Sequence, residues 1–499
     1  MLNWLKIKGE DQKVMKWMTF ASIIYVLPLM ICNVYFNDDV ARSIRGYYAW
    51  ENNGRPLATV IMKFVTGGHS ISIVDGSPFY LILGLVILAY TCTLFARKHL
   101  STFSWISKSM VMMFVVICPF LLENLSFKYD VLFMLLSLSI AYFLYAFDEQ
   151  FSRIGRLIIS SLFICVIFCF YQGSICAYII LAVFECIEGL LHNDQVKTVI
   201  TRVIERIASL GIGAILYELI ITYIVHLDAY SRDHSGLVSL NVQGLQHFMN
   251  NIIGYKHLIE SIIPYFKVTL IILLIACIVS IITVMYKKIW AEQKVTIIRK
   301  FVNTLGILLC VLLMIPVGLL PVTALKYPVF CPRTLIGLTA VSMMIGMALA
   351  YLAKKKRVIH ILTVCILIFA FTFSASYANT LKAQKDYEEE IAQNVAYDLS
   401  KISVKQPFNR LAVGGKKPKS RQFIMMDKQC HFIARTIFIY LNSPWIGQYY
   451  IMHFYNGNVK KAVISPSDED YIKTHTCQVK NENYKIYIHH KKVMIIFKK

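Results

Sequence analysis

Between residues 18 and 375 the chain alternates long apolar runs with short polar connections. Eleven runs stand out, at 18–35, 79–96, 108–123, 131–147, 157–173, 175–191, 208–227, 265–286, 302–321, 334–352 and 358–375. Each is close to the roughly 20 residues a helix needs to cross the hydrocarbon of a bilayer, and a soluble core would show shorter alternating patterns. The pattern predicts an all-α polytopic membrane protein with about 11 transmembrane helices. The fifth and sixth runs are divided only by Tyr171-Gln172-Gly173-Ser174, which suits a helical hairpin turning at Gly173. The first run, Trp17 to Val34, follows a polar lysine-bearing start and lacks a small-residue cleavage site, so it reads as a signal anchor.

Charge gives the pattern a direction. Lys6 to Lys16, Arg97 to Lys108, Arg153 and Arg156, Lys197 to Arg206, Lys287 to Lys300, and Lys354-Lys355-Lys356-Arg357 occupy every second connection. The alternate connections, 36–78, 124–130, 228–264 and 322–333, are mostly less basic. Basic connections stay cytoplasmic. The expectation is a multi-pass membrane protein with its N-terminus on the cytoplasmic side. Residues 1–375 form a transmembrane domain with a first outer loop at 36–78, and residues 376–499 an extracytoplasmic domain.

Composition agrees. Hydrophobic residues make up 57% of 499 and charged residues 16%, against about 25% charged in soluble domains; mean hydropathy is +0.58. A net charge of +22 would suggest nucleic acid in a soluble protein. Here the cations lie between apolar runs and in the tail, where they set topology and attract anionic lipid headgroups, so no nucleic-acid partner is expected. The 13 cysteines form no CxxC pair, and Cys92, Cys165, Cys169 and Cys310 read as small buried hydrophobes. Cys430 and Cys477 share the tail, and an outside location would leave both a disulfide and two free thiols open to them. A Walker loop, a dinucleotide fingerprint, an HExxH pattern and a Cys/His cluster are all missing, which argues against an ATP-driven pump, a redox enzyme and a zinc protease.

The tail begins helically over Thr380 to Ser400 and turns at Gly414-Gly415 and Pro418. Strand-like stretches follow at Thr436–Tyr440, Tyr449–Phe454, Lys461–Ile464 and Val493–Phe497, predicting a small α/β domain.

Candidate chemistry concentrates in the first outer loop, Asn37-Asp38-Asp39-Val40-Ala41-Arg42-Ser43-Ile44-Arg45-Gly46-Tyr47. A helix starting at Asp38 puts Arg42 at i+4 from it and at i+3 from Asp39. One carboxylate could then deprotonate a hydroxyl while arginine holds an anion; the same residues also suit a helix cap with a local salt bridge. Asn53-Gly54-Arg55-Pro56 opens an amphipathic stretch, Leu57 to Val65, suited to lying along the outer interface. Glu123, Lys128, Asp130, Tyr171, Gln172, Asp228, Arg232, Asp233, His234, Lys326 and Arg333 fall near outer span ends, where together they could line a polar pocket or serve as solvated anchors.

In order, the stretches YFNDDVARSIRGYYAWENNGRPLA, FKYD, CFYQGS, PRTL and SASYANTLKAQ resemble the bacterial GtrII glucosyltransferases of O-antigen and serotype-conversion systems, and more distantly the polytopic GT-C glycosyltransferases. The first stretch is the most specific, and nothing beyond about residue 400 matches. The resemblance implies a GT-C-like fold and transfer of glucose from a polyprenyl-phosphate carrier to a lipopolysaccharide O-antigen or other cell-envelope glycan. It implies catalytic roles for Asp38 and Asp39 and substrate contacts from Arg42, Arg45 and Arg333; Tyr47, Arg55, Lys128, Asp130, Tyr171 and Gln172 join them as candidate substrate contacts from their places in the first outer loop and near outer span ends. It also implies functional coupling to a polyprenyl-phosphate glucosyltransferase and a flippase. No cofactor is expected; paired carboxylates could bind a divalent cation, and a metal-independent reaction is favoured. A flippase or transporter of polyprenyl-linked sugars is the alternative reading.

Overall fold

The structure is a computed structural model that describes residues 3–68, 72–147, 151–354, 357–443 and 446–498. Lys355 and Lys356 of the last basic connection, and residues 69–71 of the first loop, lie outside the described residues. The chain runs α1 (Glu10–Cys32), α2 (Asp38–Arg45), α3 (Pro56–Val65), α4 (Phe79–His99), α5 (Trp105–Val116), α6 (Leu122–Ser126) and α7 (Val131–Ala146). It continues with α8 (Arg153–Phe170), α9 (Ile175–Leu191), α10 (Val196–Tyr223), α11 (Ala229–Ser235), α12 (Val242–Glu260), α13 (Ile263–Met285) and α14 (Ile297–Gly318). Then come α15 (Leu320–Thr323), α16 (Leu338–Ala353) and α17 (Arg357–Lys405).

Each apolar run is largely helical, but the count of eleven spans is not reached on length and composition. Among the described residues seven helices are long and apolar enough to cross a membrane, and an eighth span forms if the bent pair α5 and α6 counts as one. The bend of 50° follows from Pro119: Cys118 before it takes an extended ψ of 120°, because the proline ring disfavours the helical conformation there. Helices α7 and α16 have 16 residues each, about 24 Å of rise, short of the roughly 30 Å hydrocarbon core. Helix α10 is longer but carries Arg202, Glu205, Arg206 and Glu218. The fifth and sixth runs turn through a short 3-10 segment at Gln172–Ser174.

The two ends of α1 mark two faces. Near its start, Asp11 lies 3.9 Å from Arg97 and 3.8 Å from Lys108, and Lys354 donates to Thr102 at 3.0 Å, so basic connections collect there. Beyond its other end lie α2 and the C-terminal region. Helix α17 has 49 residues and runs unbroken through residue 375, about 70 Å in all. Its distal half buries Leu381, Ile391, Val395 and Leu399 against the C-terminal elements.

Those elements are β1 (Arg410–Gly415), α18 (Arg421–Gln429), α19 (His431–Thr436), α20 (Gly447–Met452), β2 (Lys460–Lys461), α21 (Pro466–Thr474), β3 (Val479–Lys480), β4 (Tyr484–His489) and β5 (Lys492–Phe497). The sheet order is β2-β1-β5-β4-β3, with β1 parallel to β2 and β5 and the other pairs antiparallel. Three expected strands are corrected: Lys461–Ile464 has only Lys461 in β2, Tyr449–Phe454 falls mostly in α20, and Thr436–Tyr440 leaves the end of α19 as a loop. The last two segments are apolar because they are buried, and burial does not distinguish a short helix from a strand. Of the two states open to Cys430 and Cys477, the structure has the unpaired one: both thiols are free. Side chains alternate across a sheet. Cys430 joins the cluster holding Leu411, Ile486 and Val493, whereas Cys477 packs against Ala412, Tyr487 and Met494 from the other face.

Candidate active site

Helix α2 organises the site. Asn37 precedes it without a side-chain capping bond, and Gly46 ends it in the left-handed conformation at φ 62°, where a β-carbon would collide with Ser72. Successive residues on a helix point about 100° apart, so Asp38 and Asp39 face different surroundings.

Asp39 is fully buried and turned inward. Its Oδ2 accepts from the backbone N–H of Lys128 at 2.7 Å and of Phe36 at 3.2 Å, and its Oδ1 from Tyr129 at 3.4 Å. Burial and the nearby Asp130 push its proton affinity well up, while the two N–H donors of Lys128 and Tyr129 pull it back. This carboxylate ties α2 to the turn before α7.

Asp38 is half-buried and faces positive charge. With the Asn37 carboxamide turned to satisfy both ends, its nitrogen donates to Asp38 Oδ1 at 3.3 Å and its oxygen accepts from Arg333 Nη1 at 3.0 Å. Loss of solvent raises the Asp38 proton affinity; Arg333, Arg42 and Arg55 oppose the rise, Asp130 adds to it, and the net direction is upward.

The arginines are held from behind. Asp130 Oδ1 accepts from Arg55 Nη1 at 3.0 Å and from the Trp50 indole at 2.9 Å, and Oδ2 lies 3.8 Å from Arg42 Nε. Arg42 also donates to the carbonyls of Tyr47 and Tyr48, and its guanidinium lies 3.9 Å from the Trp50 ring centre and 4.9 Å from that of Tyr47. Arg55 stacks over Tyr171 at 4.9 Å. Glu123, buried, lies 3.4 Å from Arg333 Nη1 and accepts from the Arg333 backbone N–H at 2.9 Å. The Arg333 carbonyl in turn accepts from the Tyr171 hydroxyl at 3.0 Å. Arg42 Nε, Arg55 Nε and Asp130 Oδ2 are buried without a hydrogen-bond partner. The arrangement can bind an anion and present one carboxylate to a hydroxyl.

Of the sequence-derived residues, Asp38, Arg42, Tyr47, Arg55, Asp130, Tyr171 and Arg333 therefore come together. Others point elsewhere. Arg45 donates to the Tyr449 hydroxyl at 3.1 Å. Lys128 pairs with Asp75 at 3.3 Å and lies over Tyr35 at 3.9 Å. Gln172 donates to the Gly54 carbonyl and to Tyr217, both at 3.0 Å, and so holds the turn before Arg55. Sequence reading passed over Trp50 and Asp75. The only signal for Trp50 was an aromatic placed between two arginines of one loop; Asp75 had none. The Asp38 and Asp39 carboxylates have separate partners, and among the described residues no three His, Cys, Asp or Glu side chains are placed to hold a metal ion.

Comparison with known proteins adds two findings. The family model described as "Glucosyl transferase GtrII" matches residues 27–344, a range that holds every residue of this site. An uncharacterized 55.3 kDa protein in the gtrB 5′ region of Salmonella phage P22 is 26% identical over 415 residues, covering 83% of this chain and 84% of that protein. No solved structure matches.

Proposed function

The chain belongs to the GtrII glucosyl transferase family, and from that premise we propose that it moves glucose from a polyprenyl-phosphate carrier to an O-antigen or related cell-envelope glycan. The work is done at the outer face of the bacterial cytoplasmic membrane, in a GT-C-like architecture with the N-terminus inside and residues 376–499 outside. One observation carries the reading: Asp38 is the carboxylate of the pair that faces the site, and its neighbours are Arg42, Arg55 and Arg333.

The acceptor hydroxyl attacks the anomeric carbon as Asp38 takes its proton. The new glycosidic bond forms while the bond to the carrier phosphate breaks, and the electron pair leaves with the phosphate. Arginines held by Asp130 and Glu123 stabilise that growing charge. Direct displacement inverts the sugar carbon. The carrier phosphoester already activates the sugar, so no nucleotide is needed on a face where none is made, and the chain depends functionally on an enzyme that loads the carrier and a flippase that turns it over. Asp39 acts as a positioning residue.

The test is reconstitution of the purified protein with polyprenyl-phosphoglucose and lipopolysaccharide-derived O-antigen. A glucosylated glycan with inverted anomeric configuration is the expected product, formed equally with and without EDTA. Translocation of the carrier lipid with no new glycosidic bond would overturn the proposal.

A further inference from the structure

A cavity of about 420 Å³ opens beside α2, between the first loop and the C-terminal elements. It is a junction of two parts of the chain. Tyr35, Val40 and Asp75 contribute from the first loop, Lys385 and Glu389 from α17, and Tyr450, His453 and Phe454 from α20 and the residues after it. The junction is fixed by polar contacts: Ser43 Oγ lies 3.1 Å from His453 Nε2, Arg45 reaches Tyr449, and the Tyr440 hydroxyl donates to the Tyr35 carbonyl at 2.9 Å.

Its chemistry differs from that of the arginine site. Here each cation is matched, Lys128 by Asp75 and Lys385 by Glu389, both at 3.3 Å. Such balance gives no advantage to an anion. Aromatic rings form the walls: the His453 ring stacks on Tyr35 at 5.9 Å, and Tyr450 packs edge-on against Phe454 at 6.1 Å. Flat rings beside fixed donors and acceptors suit the C–H faces and hydroxyls of a neutral sugar. Tyr450 adds an independent sign. It is buried, and its hydroxyl has no hydrogen-bond partner, an arrangement that is costly unless something else supplies one. Val40, which lines the cavity, is two residues from Asp38 on the same helix.

We propose that this cleft binds an uncharged saccharide unit of the acceptor glycan, next to the unit that receives the sugar, and so selects the acceptor. The proposal rests on the glycosyltransferase reading above. It assigns acceptor choice to the C-terminal region and leaves the carrier phosphate to the arginines.

The experiment uses full-length protein in lipid nanodiscs and the lipid-free O-polysaccharide of the host strain as probe. Binding is measured by calorimetric titration on the Asp38→Asn protein, which needs no turnover, and KM for donor and for acceptor on the otherwise wild-type protein. Tyr450→Phe should weaken polysaccharide binding and raise the acceptor KM by about three- to ten-fold, and His453→Ala should do so at least as strongly, with the donor KM unmoved. Absence of polysaccharide binding, unchanged acceptor binding in Tyr450→Phe, or equal rises in both KM values would overturn the cleft. Tyr450→Phe removes one oxygen only, so it decides the matter if His453→Ala does not fold. Polysaccharide that binds, and binds less well to the variant, while wild-type protein transfers no sugar would uphold the cleft and defeat the transferase reading instead.

Discussion

Asp38→Asn and Asp39→Asn are adjacent, isosteric changes with opposite expected effects on turnover. At Asp38 the amide keeps the shape and removes the base. General-base catalysis is worth about 10²–10⁴-fold, so kcat should fall by that factor, or about 3–5 kcal/mol at the barrier. Stability should not fall. The folded state raises the proton affinity of Asp38, so ionisation at neutral pH works against folding, and a neutral side chain relieves that cost. At Asp39 the carboxylate accepts three backbone N–H groups from two chain segments. An asparagine can keep its oxygen toward Phe36 and Lys128, but it then turns its own N–H₂ toward the Tyr129 donor. The N–H₂ opposed to the Tyr129 N–H costs about 1–3 kcal/mol, and neutralising a carboxyl group whose proton affinity the fold pushes well up offsets that cost. Asp39→Asn should therefore stay near the stability of Asp38→Asn and, unlike it, keep most of its turnover per folded molecule. The assay pairs thermal unfolding in nanodiscs with single-turnover transfer from labelled polyprenyl-phosphoglucose at saturating acceptor. An Asp38→Asn protein that turns over normally, beside an inactive and fully stable Asp39→Asn protein, would refute the assignment.

Other outcomes follow from the same geometry. Because Asp38 must be ionised to act and burial raises its proton affinity, activity should be lost as pH falls through a point above the ordinary carboxylate range; a pH profile of kcat/KM with its acid limb inside that range would count against it. Asp130→Asn leaves Arg42, buried, and Arg55, half-buried, without their counter-charge and should cost about 3 kcal/mol in stability, measured by denaturant or thermal unfolding; a neutral result would mean that Asp130 does not hold them. Gly46→Ala forces a left-handed φ of 62° on alanine and drives its β-carbon into Ser72; a loss of about 1–2 kcal/mol or more is expected, and unchanged thermal stability would refute the strain. For sidedness, a cysteine at Lys401 should react with an impermeant maleimide on intact spheroplasts, and one at Lys354 only after permeabilisation; the reverse pattern would invert the orientation.

The membrane pattern was legible because it is written in neighbouring residues: an apolar run and the basic residues beside it need no distant partner to be recognised. The number of full spans was less so. Helix α7 is almost wholly buried among other helices, and a helix that meets protein instead of lipid need not match the bilayer thickness, although its composition is as apolar as that of one that does. The active site divides the same way. Asn37, the acidic pair and two arginines four and seven residues after Asp38 mark where α2 begins and which side is charged. They do not say which aspartate faces the arginines. That is settled by Lys128 and Tyr129, whose N–H groups come from about 90 residues along the chain and take Asp39 for themselves. The same loop brings Asp130, and with it the reason why Arg42 and Arg55 stay in place. A short stretch in the turn before α7, read from sequence as a set of outward ionisable residues, thus leaves Asp38, the proposed base, facing the arginines by occupying its neighbour. A site of this kind can keep a paired-aspartate motif while using only one of the two for chemistry.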